Sequence, residues 1–312
     1  MKAEKAAAKK NVIYDAAGIG FCVSDYQCLM KRFPKPDEKT EAMRLVHQGG
    51  APVPTAFVAN AKWGMKTTFI GIAGDDDDGH FIKDEMERFG VDTSKMILAK
   101  DTATKRAFVL IDTSAGSRNV ILINEKPKAL PAYAASPDYF PFCRVFHTDG
   151  RETEVVIKAM KLSRRRGAQT VIDAGNPRDH MDELFAATDH FVASKDFARE
   201  YYGAKVKPEK AVLKMLERGP RVAIVTLGEN GCVGATATGE TFRIQGHRKP
   251  GFVVDTTGAG DVFHGGYIYG VLHGWPAERC AAYANAAAFL STGSVGARDG
   301  IPANRDVLAL MQ

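Results

Sequence analysis

The stretch "VVDTTGAGDVFHGG" (residues 253–266) sets a β-branched pair, two threonines, two glycines around an alanine and an aspartate in close succession. Val253 and Val254 have the character of the end of a buried strand. Ala259, Val262, Phe263, Gly266, Tyr267 and Gly270 recur at helical spacing, so the sequence predicts strand, tight turn, helix. The first amides of such a helix have no intrahelical acceptor, and the macrodipole adds about half a positive charge there. Anions bind at such ends. Gly258 and Gly260 lack Cβ atoms and permit close approach to the amides of residues 258–261, and Asp261 falls in the first turn. Two roles are open to that carboxylate. It can complement the dipole, with Thr256 or Thr257 as the cap. It can also take a proton from a hydroxyl that attacks a phosphoryl group held by the amides.

The remaining 298 or so residues restrict the class, since a chain of 312 residues suits one large α/β unit with an accessory element. Hydrophobic residues at 45% and charged residues at 25% are those of an ordinary globular protein, and the formal charge of +5 is modest for the length. The densest basic run, "KLSRRRG" (161–167), is expected to be the solvated end of a helix rather than a nucleic-acid patch. Five cysteines (22, 28, 143, 232 and 280) form no C-x-x-C pair and suggest neither a disulfide framework nor a zinc site. No signal peptide and no run of about eighteen apolar residues is evident, so a cytoplasmic protein without membrane contact is expected.

Strand and helix patterns alternate along the chain. Strands are expected at 11–19 and 67–74, with a helix at 54–63 between them and an amphipathic helix at 81–91 closed by Gly90. "RAFVLID" and "RNVILIN" flank "TSAGS", which is hairpin chemistry suited to a small β-lid. From residue 144 come "RVFHTDG", a helix at 152–166, "TVIDAG", a helix at 179–187, "HFVAS" and "RVAIVTLG" (221–228). Repeated βα units imply a mostly parallel sheet covered on both faces, with ligands at the carboxyl ends of the strands. Gly18, Gly50, Gly74, Asp149, Asp173, Gly228 and Gly258 all follow strand candidates, which directs their loops to one edge. The alanine-rich segment 276–292 suits close helix packing.

Other motifs fail on inspection. "GIGFCV" has Val23 where a dinucleotide fingerprint needs its third glycine, and no G-x-x-x-x-G-K-[ST] occurs. "DDDDG" (75–79) fits no calcium-loop register and reads as an acidic surface loop.

"DTTGAGD" (255–261) resembles, at every position, the C-terminal motif of the ribokinase-like (PfkB) carbohydrate kinases. Gly71, Gly74, Asp76, Gly79, Gly90, Val91 and Thr93 resemble the family's G-x-x-G-x-D-x-x-G stretch and the G-V-x-T that follows its helix. Gly49, Gly50 and Ala56 resemble its paired-glycine motif, although Pro54 stands where an asparagine is usual. Asp25 resembles the early aspartate that binds sugar hydroxyls. Thr226, Gly228 and Gly231 in "VTLGENG", and Asn285 in "ANAAAFL", resemble the nucleotide site. In "FVASKDFARE" (191–200), Ser194 and Phe197 replace the asparagine and glutamate of N-x-x-E, as in ketohexokinases and sulfofructose kinases in having serine there; Ser194 is placed with the ATP-binding set. "GARDGIP", near the C-terminus, also looks most like sulfofructose kinase.

The resemblance implies a three-layer α/β sandwich, one kinase domain over 1–312, and a lid built from segments near 22–48 and 104–126. It implies ATP-dependent phosphorylation of a primary hydroxyl on a ketohexose or 6-substituted ketohexose, with Asp261 as base and the amides of Gly258, Ala259 and Gly260 as the anion hole. ATP and Mg2+ are implied, as are K+ or another monovalent cation near Asp255 and Thr257, and a homodimer. Lys39, Asn124 and Arg151 resemble the set with which sulfofructose kinases hold a sulfonate, and with Asp25, Gly49 and Gly50 they complete the expected sugar site. A nucleoside kinase and a catalytically silent sugar-binding regulator are the alternatives.

Overall fold

Successive side chains of a strand point to opposite faces, so strands without polar positions must be covered on both sides. Val171, Val192 and Ile224 accordingly join one hydrophobic core, while their neighbours Ile172, Ala193, Ala223 and Val225 join another. The computed structural model describes residues 14–115, 117–123, 125 and 127–311. In its main sheet β4 (Thr67–Ile70), β1 (Tyr14–Ile19), β9 (Cys143–Thr148), β10 (Gln169–Ala174), β11 (His190–Ser194) and β12 (Val222–Thr226) run parallel in that spatial order. β13 (Cys232–Thr236) and β14 (Thr241–Ile244) extend it antiparallel.

One face packs against α1 (Pro52–Lys62), α2 (Asp77–Arg88), α7 (Ala259–Leu272), α8 (Ala277–Ser291) and α9 (Asn304–Leu310). The other packs against α3 (Thr153–Arg165), α4 (Met181–Ala187), α5 (Lys195–Tyr202) and α6 (Pro208–Leu216). Every residue of α7 from Val262 to Leu272 is buried, as expected of a helix apolar on all sides. A Cβ on Gly265 would lie 2.8 Å from the Ala56 carbonyl oxygen and one on Gly266 2.8 Å from Ala284 Cα, so α1 and α8 pack on bare backbone.

A second sheet, in the order β3 (Arg44–Gly50), β2 (Val23–Met30), β7 (Arg106–Asp112), β8 (Ser117–Leu122), is built from the segments expected to form a lid and is called the lid sheet below. β5 (Ile72–Gly74) and β6 (Ile97–Ala99) form a small parallel pair. The strand expected over 67–74 is therefore two strands in two sheets, broken at Gly71. Of the expected first strand, residues 11–13 lie outside the described residues.

Two further expectations are corrected. The acidic run is the start of α2 rather than a loop: Asp76 caps it by accepting the Gly79 N–H at 2.8 Å, and Asp77 and Asp78 complement the dipole. Val253 and Val254 form no strand. Val253 is 44% exposed, and the Val254 and Asp255 amides donate instead to Thr292 O at the end of α8.

The lid is tied to the body through a buried ion pair. Arg298 is fully buried; its Nη1 donates to Glu85 Oε2 and its Nη2 to Gly50 O at 3.1 Å. Glu85 Oε2 also accepts the Gly49 N–H at 2.7 Å. Removing one partner leaves an uncompensated buried charge, so Arg298→Leu is expected to cost roughly 3–5 kcal/mol in urea unfolding. Arg298→Leu/Glu85→Leu should recover part of that loss; a single variant as stable as the parent would contradict the role given to the pair.

Candidate active site

The parallel strands end along one edge, which receives Gly20, Asp149, Asp173, Ser194 and Thr226. The turn at 255–261 faces that edge. Asp255 is buried and fixes the turn: its Oδ1 accepts the Thr257 N–H at 2.8 Å and its Oδ2 the Gly296 N–H at 2.9 Å. Neither threonine caps α7. Gly258 holds that position with φ 72°, in the left-handed region, where a Cβ would also meet Ala297 Cβ at 2.3 Å. Ala259 donates to Thr256 O at 3.3 Å and Val262 to Gly258 O at 2.9 Å. The amides of Gly258, Gly260 and Asp261 have no acceptor among the described residues. The free donors are thus those three, and the Ala259 amide is already engaged. Beside Gly260 the space is open: a Cβ there would meet nothing within 4 Å.

Ala259 and Gly260 line a cavity of about 430 Å³ together with Thr226, Gly228, Gly231 and Asn285. Four residues assigned to ATP from the sequence therefore converge beside the turn. Phe263, Phe289 and Val253 supply its apolar walls. Ser194 does not line this cavity: its hydroxyl caps α5 by accepting the Phe197 N–H at 2.9 Å and donates to Gly175 O at 2.8 Å. Asn285 is also tied to the fold, donating Nδ2–H to Gln245 O at 3.0 Å.

Asp25 is buried on β2, and a Cβ on Gly50 would come within 2.1 Å of its Oδ2. Burial raises Asp25 to about 7, against the lowering effect of Arg298 and with help from Glu85. Asp261 is raised well above the carboxylate range, first by desolvation and then by Asp173, with Arg118 opposing and Asp25 adding. Asp149 is raised to about 6 by burial, although it accepts the Arg151 N–H at 3.0 Å and the Phe21 N–H at 3.2 Å. Thus Asp25, Asp173 and Asp261 crowd one space, with Asp149 beside Asp173.

The three residues expected to grip a sulfonate have different standings. Lys39 is exposed on the β2–β3 connection, and Asn124 lies outside the described residues. Arg151 sits beside the carboxylates, its guanidinium 4.2 Å from the Phe21 ring, and lines a second cavity of about 270 Å³ with Lys105 and Lys128.

Sequence reasoning missed several neighbours. Arg118 reaches from β8 to donate to Thr256 Oγ1, carrying the lid onto the turn. His264 and Asp173 meet at 3.1 Å, and half-buried Arg178 faces Asp149 and Asp173. Asp149 and Asp173 were signalled by following strand candidates and Arg298 by its place in "GARDGIP". His264 carried no signal beyond standing three positions after Asp261.

The chain resembles known proteins over nearly its whole length. It is 28% identical over 284 residues, 81% of each chain, to a 5-dehydro-2-deoxygluconokinase of Geobacillus thermodenitrificans. Among solved structures, Arabidopsis thaliana ribokinase complexed with ribose and ATP superposes with a TM-score of 0.79 at 21% identity, covering 96% of this chain and 99% of that one. An E. coli protein described as a ribokinase II, in complex with ATP and Mg2+, gives 0.80 at 22% identity, with 96% and 99% covered. The fold is the ribokinase three-layer sandwich. These relatives are a sugar-acid kinase and ribokinases, so the expected ketohexokinase and sulfofructose kinase subgroup is not what the similarities support. The family model for pfkB family carbohydrate kinases matches residues 9–304, and the chain belongs to that family of carbohydrate kinases.

Proposed function

We propose that this kinase transfers the γ-phosphoryl of ATP to a primary hydroxyl of a sugar acid, with Asp261 as the base. The observation that supports this most is the position of the 258–261 turn. On one side Ala259 and Gly260 line the 430 Å³ cavity, sized for a nucleotide; on the other Asp261 faces Asp25 and Asp173. The hydroxyl proton passes to the Asp261 carboxylate as the new O–P bond forms and the bond to the ADP oxygen breaks. Free amides of Gly258, Gly260 and Asp261 stabilise the charge on the transferring group, where preorganised donors act most strongly. Val253 and Phe289 bracket the base of ATP, and Thr226, Gly228 and Gly231 its phosphates. Mg2+, when bound with ATP, would offset the charge of the phosphates held by Thr226, Gly228 and Gly231. A monovalent cation suits the turn, since Thr257 Oγ1 is buried without a hydrogen-bond partner among the described residues.

The sugar acid is suggested by the cavity next to Asp149, which Arg151, Lys105 and Lys128 line alongside Glu152, with Lys128 also paired to Asp101. Charge-assisted hydrogen bonds to a carboxylate are roughly twice as strong as neutral ones. The name of the Geobacillus relative, a kinase of a gluconate derivative, supports the same class. Asp25 binds the hydroxyls, and Gly50, having no Cβ, leaves room for its carboxylate. A homodimer suits the outward face of the lid, where Leu45, Phe108 and Ile121 are exposed on one side of the sheet.

Asp261→Asn should reduce kcat by roughly 10²–10⁴-fold with little change in ATP binding, because a positioned base contributes mainly to the transition state. Turnover near the parent's would remove Asp261 from the mechanism. Since the base must be ionised and its proton affinity is raised, activity should fall as pH drops through a limb well above the ordinary carboxylate range; a limb near pH 4 would contradict the raised state.

Gly260→Val should fold normally, as the space beside it is open, yet lose most phosphoryl transfer by filling that space. Full activity in a folded Gly260→Val protein would put the phosphate elsewhere. Arg151→Ala should lower kcat/KM for a sugar acid by about 1.5–3 kcal/mol while sparing neutral sugars. Equal kcat/KM of the parent for fructose, ribose and the gluconate-derived acid would refute the carboxylate site.

A further inference from the structure

His264 lies one turn into α7 and is buried, three residues after Asp261. Its Nδ1 is 2.8 Å from Gly260 O and 3.1 Å from Asp173 Oδ2. Both neighbours are acceptors, so Nδ1 carries the proton; it donates to Gly260 O, and Asp173 Oδ2 lies against the same N–H as an ion-pair contact. The Gly260 carbonyl and the Asp261 N–H belong to one planar peptide unit, and that N–H is among the free amides at the mouth of α7. A hydrogen bond on the carbonyl both fixes the plane and polarises the N–H. Asp173 is the penultimate residue of β10, it meets the same Nδ1, and its charge bears on Asp261.

We propose that His264 and Asp173 are positioning residues for phosphoryl transfer: His264 holds the Gly260–Asp261 peptide toward the phosphoryl group and holds the Asp173 carboxylate beside the base. The proposal rests on Asp261 being that base. The groups facing Asp261 are Asp173 from β10, Asp25 from β2, Arg118 from β8 and Arg298 from the C-terminal loop. Asp173 itself faces His264, Arg178 and Arg151. The two acids raise the proton affinity of the base and the arginines lower it. His264 has no acid but Asp173 within ion-pair distance among the described residues, and its other flank is the ring of buried His147, stacked at 5.7 Å. This geometry makes the imidazole a two-way brace between α7 and β10.

The experiment compares His264→Leu, His264→Asn, Asp173→Asn and Asp261→Asn by kcat, KM for ATP and the pH dependence of kcat, with folding checked by thermal unfolding. His264→Leu should fold and lose on the order of tenfold or more in kcat at little cost in KM for ATP, because the lost donor acts on the transition-state amides. His264→Asn, which can still donate to Gly260 O, should recover part of that loss. Asp173→Asn should move the acid limb to lower pH by about one pH unit, since a like charge beside the base is gone. Parent kcat in His264→Leu together with an unmoved limb in Asp173→Asn overturns the proposal, as does a kcat loss that only tracks loss of folded protein. An active Asp261→Asn protein would instead overturn the base itself, which separates the two failures.

Discussion

The buried guanidinium of Arg298 is the contact on which the arrangement of the site depends. It joins three segments remote in sequence: Glu85 on α2, the paired glycines at the end of β3, and the loop after α8. A charge this deep is tolerable only when paired and hydrogen-bonded. Its pairing fixes Gly49 and Gly50, and the glycine backbone in turn makes room for the Asp25 carboxylate. The next residue, Ala51, is held at φ 80°, a conformation that an alanine rarely adopts unless its surroundings impose it. Through this junction the lid sheet acquires a defined position over the edge of the main sheet, and Arg118 can reach the turn at Thr256.

The electrostatics of the site follow from the same enclosure. Asp25, Asp149, Asp173 and Asp261 all have raised proton affinity because burial disfavours their charge, and three of them face like charge as well. For such groups the folded state binds protons more tightly than the unfolded chain, so their ionisation opposes folding as pH rises through about 6 to 7 for Asp149 and Asp25. Buried His147 and His190 have the opposite sign. Desolvation depresses them to about 3 and about 4, so the stability of their neutral forms is present above the unfolded histidine value and is lost as pH falls toward the folded ones. Burial thus costs stability near neutrality, and in the proposed mechanism it makes Asp261 basic enough to accept a proton there. Arginines 118, 151, 178 and 298 oppose that rise in proton affinity from around the cluster.

Much of this was legible in the sequence because the information was local. The β-branched runs gave the parallel strands, and the glycine pattern gave the turn and the open face of α7 at Gly260. Thr226, Gly228, Gly231 and Asn285 were recognisable and do share a cavity with the turn. What escaped depends on distance in sequence. Glu85 stands in an amphipathic pattern among exposed acids, and only Arg298, 213 residues later, explains its burial. Val253 and Val254 look like strand because they are β-branched, but the end of α8 takes their amide bonds. Lys39 and Arg151 were grouped by their resemblance to a sulfonate-binding set; chain topology leaves Lys39 exposed and puts Arg151 beside Asp149. Ser194 was assigned to ATP by its place in a motif, whereas its hydroxyl is used by the helix it starts.

The most direct test of the central claim, that Asp261 stands between a phosphate-holding turn and a sugar held by Asp25, is a crystal structure with a non-hydrolysable ATP analogue, Mg2+ and a gluconate-derived sugar acid. The account predicts the γ-phosphate at the amides of Gly258, Gly260 and Asp261, a primary hydroxyl within hydrogen-bond distance of the Asp261 carboxylate, and the sugar carboxylate toward Arg151. A γ-phosphate bound away from Gly260, or a sugar whose nearest hydroxyl cannot reach Asp261, would contradict it.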